Sequence, residues 1–111
     1  MGDRISLLEE KISRNPEQIF LRYSLGQALF DSSDYKAASD QFKRCVEVKP
    51  DWMMACLFVA KAELELGHLE SAKAFLVKTI ELAKEQDHDD PRLEAEKILQ
   101  QILKSQDATG S

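Results

Sequence analysis

Residues 19–52, IFLRYSLGQALFDSSDYKAASDQFKRCVEVKPDW, decide the fold. Apolar side chains at Ile19, Tyr23, Leu25, Leu29 and Phe30 follow the three-and-four spacing of a helix, and no stretch alternates with the period of a strand. Ser32-Ser33-Asp34 interrupts that pattern, and Tyr35, Ala38, Phe42, Cys45 and Val46 resume it. The next stretch, MMACLFVAKAELELGHLESAKAFLVKTIELAKEQ at 53–86, repeats the arrangement. Shifted by 34 residues, Ala28 falls on Ala62, Ala38 on Ala72 and Glu47 on Glu81. Leu25 falls on Val59, Gly26 on Ala60, Tyr35 on Leu69, Phe42 on Leu76 and Val46 on Ile80, so size and polarity match where two helices must touch. Pro16 and Pro50 stand the same distance apart, each just before a helix. A helix–turn–helix unit recurring at this period predicts a solenoid of stacked helix pairs.

Outward from this pair, the same spacing continues through Ile5, Leu8 and Ile12 on one side and Leu93, Ile98, Leu99, Ile102 and Leu103 on the other. Six helices follow, at about residues 3–14, 16–31, 35–48, 51–66, 69–86 and 90–104. Asn15, Pro16 and Gln18 read as an N-cap, a first helical position and a capping box. Gly67 sits where a positive φ ends a helix, and Asp90-Pro91 repeats the cap-then-proline signal. The breaks at Ser32-Ser33-Asp34 and Gly67-His68 suit only tight antiparallel hairpins. Residues 105–111 are small and polar and read as a flexible tail beyond a single domain at 1–104.

The 111 residues, 43% apolar and 32% charged, describe one soluble globular domain. Fifteen basic against twenty acidic residues give a net charge of −5, which argues against nucleic acid and against anionic membrane surfaces as partners. The N-terminus has acids at Asp3, Glu9 and Glu10 and no apolar stretch, so it does not read as a secretory signal. The longest apolar run, Trp52–Ala60, is too short for the ~20 residues that span a bilayer. Met1-Gly2 with Ser6 fits the loose myristoylation pattern and reads instead as an ordinary helix start. Cys45 and Cys56 lack metal or disulfide spacing and read as buried, reduced thiols, which places the chain in the cytoplasm.

The chain resembles the tetratricopeptide repeat (TPR) family on residues already quoted. Leu25-Gly26, Leu29, Tyr35, Ala38, Phe42, Val46 and Pro50 stand at the family's signature positions in the first unit. Ala60, Gly67, Leu69, Ala72, Leu76 and Ile80 stand there in the second. Small residues at Gly26 and Ala38 let the two helices approach while Tyr35 and Phe42 fill the gaps beside them. Departures are Arg22 and Cys56 for the early aromatic, Ser33 for a turn glycine, and Lys84 for a proline. The last of these predicts a longer second helix, with 85–89 as an insertion. The resemblance implies an all-α, right-handed superhelix with repeats at 19–52 and 53–86. Residues 3–14 make a preceding half repeat or cap, and residues 90–104 a capping helix or half repeat.

The resemblance also implies an inner wall built by the first helix of each pair. In the first repeat that wall holds Phe20, Tyr23, Gln27, Phe30 and Asp31; in the second it holds Met54, Leu57, Lys61, Leu64 and Glu65, with Trp52 at the junction. Tyr23, Gln27 and Phe58 occupy positions where chaperone-binding relatives carry a carboxylate clamp, so that ligand class is excluded. The wall is expected to bind a peptide segment or helix of another protein, or to pair with a second copy as a homodimer or larger assembly. The last helix covering the wall is the remaining reading.

Catalysis and cofactors find no constellation to carry them. Asp87-His88-Asp89-Asp90 lacks the glycine and terminal glutamate of a Ca²⁺ loop and reads as a solvated linker ending in a cap. His68 is a turn residue, and Ser24, Ser32, Ser33, Ser39 and Ser71 have no nucleophile-elbow setting. No glycine-rich phosphate loop is present, and no metal or cofactor is expected.

Overall fold

The computed structural model describes residues 3–110, with side chains from Arg4 to Asp107. Six α-helices and no strand occur among the described residues: α1 (Asp3–Arg14), α2 (Ile19–Asp31), α3 (Tyr35–Val48), α4 (Met53–Glu65), α5 (Leu69–Glu85) and α6 (Asp89–Gly110). Each helix packs chiefly on its neighbours in the chain, and α6 also touches α4. The resulting body measures 51 × 31 × 20 Å, with a radius of gyration of 14.8 Å. A rounded domain of this length would have about 13 Å. This is an all-α solenoid of stacked antiparallel helix pairs.

The turns repeat as closely as the helices. After α2, α4 and α5 the chain takes a left-handed residue, Ser33 (φ 63°), Gly67 (φ 79°) and Asp87 (φ 60°). The residue after each donates its N–H back five positions: Asp34 to Leu29, His68 to Glu63 and His88 to Ala83, each at 2.9 Å. This Schellman closure satisfies carbonyls that the helix end would otherwise orphan. Asp34 also caps α3 by accepting from the Ala37 N–H. The α5–α6 link is therefore built like the turns within each pair, with α5 extended to 17 residues against 14 in α3.

Three sequence-based boundaries are corrected. The second helix begins at Ile19 instead of 16, because Asn15 serves the end of α1: its backbone N–H and its side-chain amide both donate to the Lys11 carbonyl. Pro16 and Pro50 sit in turns, and the residues before α2 and α4 adopt one conformation, Gln18 at φ −81°, ψ 88° and Trp52 at φ −79°, ψ 88°. The last helix starts at Asp89, so Asp90 lies inside it instead of capping it. It also runs on through the expected tail to Gly110. No proline or glycine between 92 and 109 stops it, and Lys73 Nζ on α5 donates to Gln106 Oε1 at 3.0 Å. The Met1-Gly2 pattern and Ser111 lie outside the described residues.

Two main cores result. Leu25, Leu29, Ala38, Phe42 and Val59 bury one, sealed by Ile12 of α1. Leu57, Ala60, Ala72, Leu76, Ala95 and Ile102 bury the other, between α4, α5 and α6. At Gly26 the helices of the first pair meet most tightly: a Cβ there would lie 2.8 Å from the Phe42 ring.

Candidate functional site

Seven of the eight aromatic residues form one connected cluster along α2, α3 and α4. Trp52 stacks on Tyr23 with ring centroids 4.7 Å apart and meets Phe20 at 5.0 Å. Tyr23 touches Phe58 edge-on at 6.0 Å, and Phe58 touches Phe30 at 5.8 Å. Beneath them the buried Phe42 stacks on Phe58 at 4.8 Å, and at the far end Phe30 meets Tyr35 at 5.1 Å. Spacings of three, seven and ten residues put Phe20, Tyr23, Gln27 and Phe30 on one side of α2. The 34-residue repeat brings Trp52 and Phe58 against them from the next pair.

Exposure divides the expected wall. Phe20 is 62% exposed, an unusual state for a phenylalanine, and Asp31 and Glu65 are also exposed. Tyr23, Gln27, Phe30, Trp52, Met54, Lys61 and Leu64 are half-buried. Leu57 is corrected: its exposure is 0%, because α6 closes over that part of α4 with Ala95 and Ile102, and Met54 and Leu64 pack against the same core. Lys61 is bound to Glu94 of α6 and lies 5.4 Å over the Phe58 ring. The aromatic face is thus open on the first repeat and largely roofed on the second.

Phe58, which the sequence places at a clamp position of this wall but not among its docking residues, meets Tyr23, Phe30 and Phe42 at the centre of the cluster. Its counterpart one repeat earlier is Ser24, so the repeat alignment gave no warning. Its place four residues after Met54 and three before Lys61 is the signal that would have found it.

The remaining polar chemistry is structural. Glu63, 3% exposed, accepts hydrogen bonds from Ser71 Oγ at 2.8 Å, Lys43 Nζ at 3.1 Å and Ser39 Oγ at 3.1 Å, with His68 Nδ1 at 3.4 Å. Burial alone would raise its pKa, and those three donors outweigh it, leaving the carboxyl below its ordinary value. The thiols lie the other way. Burial pushes Cys45 up to about 11, against the Arg22 guanidinium and a backbone hydrogen bond, and burial raises Cys56 against Lys78. Both are free, buried thiols with little thiolate character. Burial, with the Cys45 sulfur beside it, also holds the Tyr23 hydroxyl above its ordinary value. Among the described residues no three His, Cys, Asp or Glu side chains converge on a possible metal position. Asp89 instead pairs with Arg92 at 3.5 Å.

Residues 21–51 match the tetratricopeptide repeat profile. The matched stretch takes in most of α2 and all of α3, so this helix pair carries one tetratricopeptide repeat. The chain is also similar in fold to the solution structure of protein BPP2914 from Bordetella parapertussis, with a TM-score of 0.81 over 92% of this chain and 89% of that one, at 16% identity. That likeness concerns architecture alone. No curated protein sequence is significantly similar. TPR proteins are generally non-enzymatic scaffolds whose domains bind other proteins. No helix among the described residues is long and apolar enough to cross a membrane.

Proposed function

We propose that this protein is a non-enzymatic adaptor, and that a peptide segment or helix of a partner protein docks on the aromatic face of α2 and the start of α4. The observation that carries this reading is Phe20, held 62% exposed at the edge of a ring cluster that continues through Trp52 and Tyr23. Burying a large apolar side chain is worth about 1.5–3 kcal/mol, and aromatic anchors dominate binding interfaces. A fixed ring loses little conformational freedom when a partner covers it. The reduced, buried thiols suit a cytoplasmic setting.

Affinity capture from the native cell with the intact chain and with Phe20→Glu tests this. The parent should retain a partner that the variant loses, while far-UV circular dichroism of the two is the same. Equal capture by both would place the interaction elsewhere. Light scattering of the purified chain completes the test: a stable dimer abolished by Phe20→Glu would make self-association the function of this face.

A further inference from the structure

The two ends of the aromatic face differ in chemistry. At the starts of α2 and α4 stand Phe20 and Trp52, an apolar platform. At the finishes of the same helices stand Asp31 and Glu65, equivalent positions one repeat apart and both exposed. Each carboxylate there adds to the partial negative charge of its own helix C-terminus, where a cation is favoured and an anion is not.

Nearby cations leave that end acidic. Lys61 is taken by Glu94 of α6. Arg4 of α1 reaches Asp31 at 3.8 Å, with both side chains 60% and 72% exposed, a contact that water and salt readily loosen. Glu65 holds no ion pair among the described residues. The residue before Asp31 is Phe30, which meets Tyr35 edge-on, and aromatic faces attract cations as carboxylates do. Arg4 shows that a guanidinium can reach this corner.

Resting on the docking reading above, we propose that the partner is a segment with an apolar anchor for the Phe20–Trp52 end and a basic side chain, arginine or lysine, for the Asp31–Glu65 end. From Phe20 to Asp31 is three turns of helix, about 16 Å. About five residues of extended chain cover that span. The protein selects against acidic segments by the same charges, since like charges repel whatever the apolar fit.

Two synthetic peptides test this, each with two leucines, a three-residue Ser-Gly-Ser spacer, and either two arginines or two glutamates. The full chain is titrated with each, and the fluorescence of Trp52, its single tryptophan, reports binding. The arginine peptide should bind at least about tenfold more tightly. That advantage should shrink between about 0.05 and about 0.5 M salt. It should reverse in the Asp31→Lys, Glu65→Lys double variant, whose changes are both at exposed positions and whose fold is checked by circular dichroism. Equal affinity for both peptides, or a preference unchanged in the double variant, would overturn the basic partner and leave the aromatic docking face standing. If neither peptide perturbs Trp52, the docking reading itself falls.

Discussion

The two repeats solve one packing problem with different volumes. In the first, Gly26 yields to the ring of Phe42; in the second, the same two positions hold Ala60 and Leu76, a methyl gained on one helix and a smaller side chain on the other. The first pair is filled with rings, the second with aliphatic chains. The wall follows the same division. Tyr23 is half-buried under Trp52 and Phe58, whereas its counterpart Leu57 is sealed by α6. A repeated backbone thus fixes where helices cross, while the side chains choose which unit stays open to a partner.

The sharpest way to break this comparison is to place the same charge on both walls. Leu57→Glu buries an unpaired carboxylate, a cost of several kcal/mol. That rivals the ~5–15 kcal/mol that holds a domain together, so the variant should be unfolded by circular dichroism. Phe20→Glu should melt within a few degrees of the parent, because its side chain is already in water.

The helix crossings come next. Gly26→Ala forces a methyl against the Phe42 ring and should lower stability by about 1–3 kcal/mol in urea denaturation. Ala60→Gly in the second repeat makes no clash and should lose only about 0.5–1 kcal/mol through backbone entropy. Equal losses would mean that the Phe42 ring gives way and that the first crossing does not require a glycine.

Glu63 sharpens the contrast by pH, since Leu29 stands at its position in the first repeat. The folded carboxyl titrates below its ordinary value of 4.5, so the unfolded chain takes up the proton first as pH falls. Its stabilisation is complete above that value and is lost as pH drops through it toward the folded pKa. Glu63→Gln should cost about 1–3 kcal/mol near neutral pH, from weakened bonds to Lys43, Ser39 and Ser71. The same variant should flatten the acid limb of a stability-against-pH curve.

The smallest effect belongs to the turns. Ser33 pays a left-handed penalty that Gly67 does not. Ser33→Gly should stabilise by about 1 kcal/mol, and Gly67→Ser should destabilise by a similar amount. Thermal melts of the two variants should move in opposite directions.

The repeat, the six helices and the tight crossing at Gly26 were legible because each rests on local periodicity or on two residues a fixed distance apart. The start of α2 was not. Asn15 and Pro16 fit a cap as well as a turn, and only the return of the Asn15 side chain to Lys11 decides between them. The burial of Leu57 was legible only as the alternative in which the last helix covers the wall, since α6 reaches it from 38 residues further along, at Ala95. The extension of α6 to Gly110 was masked by polar composition: Ser105, Gln106 and Asp107 look like a tail until Lys73 is seen to hold Gln106. Phe58 was legible only as a clamp position, because the serine one repeat earlier gives no hint of its place among the rings.

Because each helix rests chiefly on the helix before and the helix after it, the chain carries a kinetic signature as well as a shape. Contacts between near neighbours close small loops, so such a chain folds early and fast for its size. Opening then proceeds from the ends inward, as in a row of coupled units. α1, resting on α2 at one edge, should exchange its amide protons soonest, and α3 and α4, gripped from both sides, should exchange last. A partner lying across α2 and α4 would bridge two units that otherwise communicate through α3, and so would slow the opening of the whole row more than its own footprint suggests.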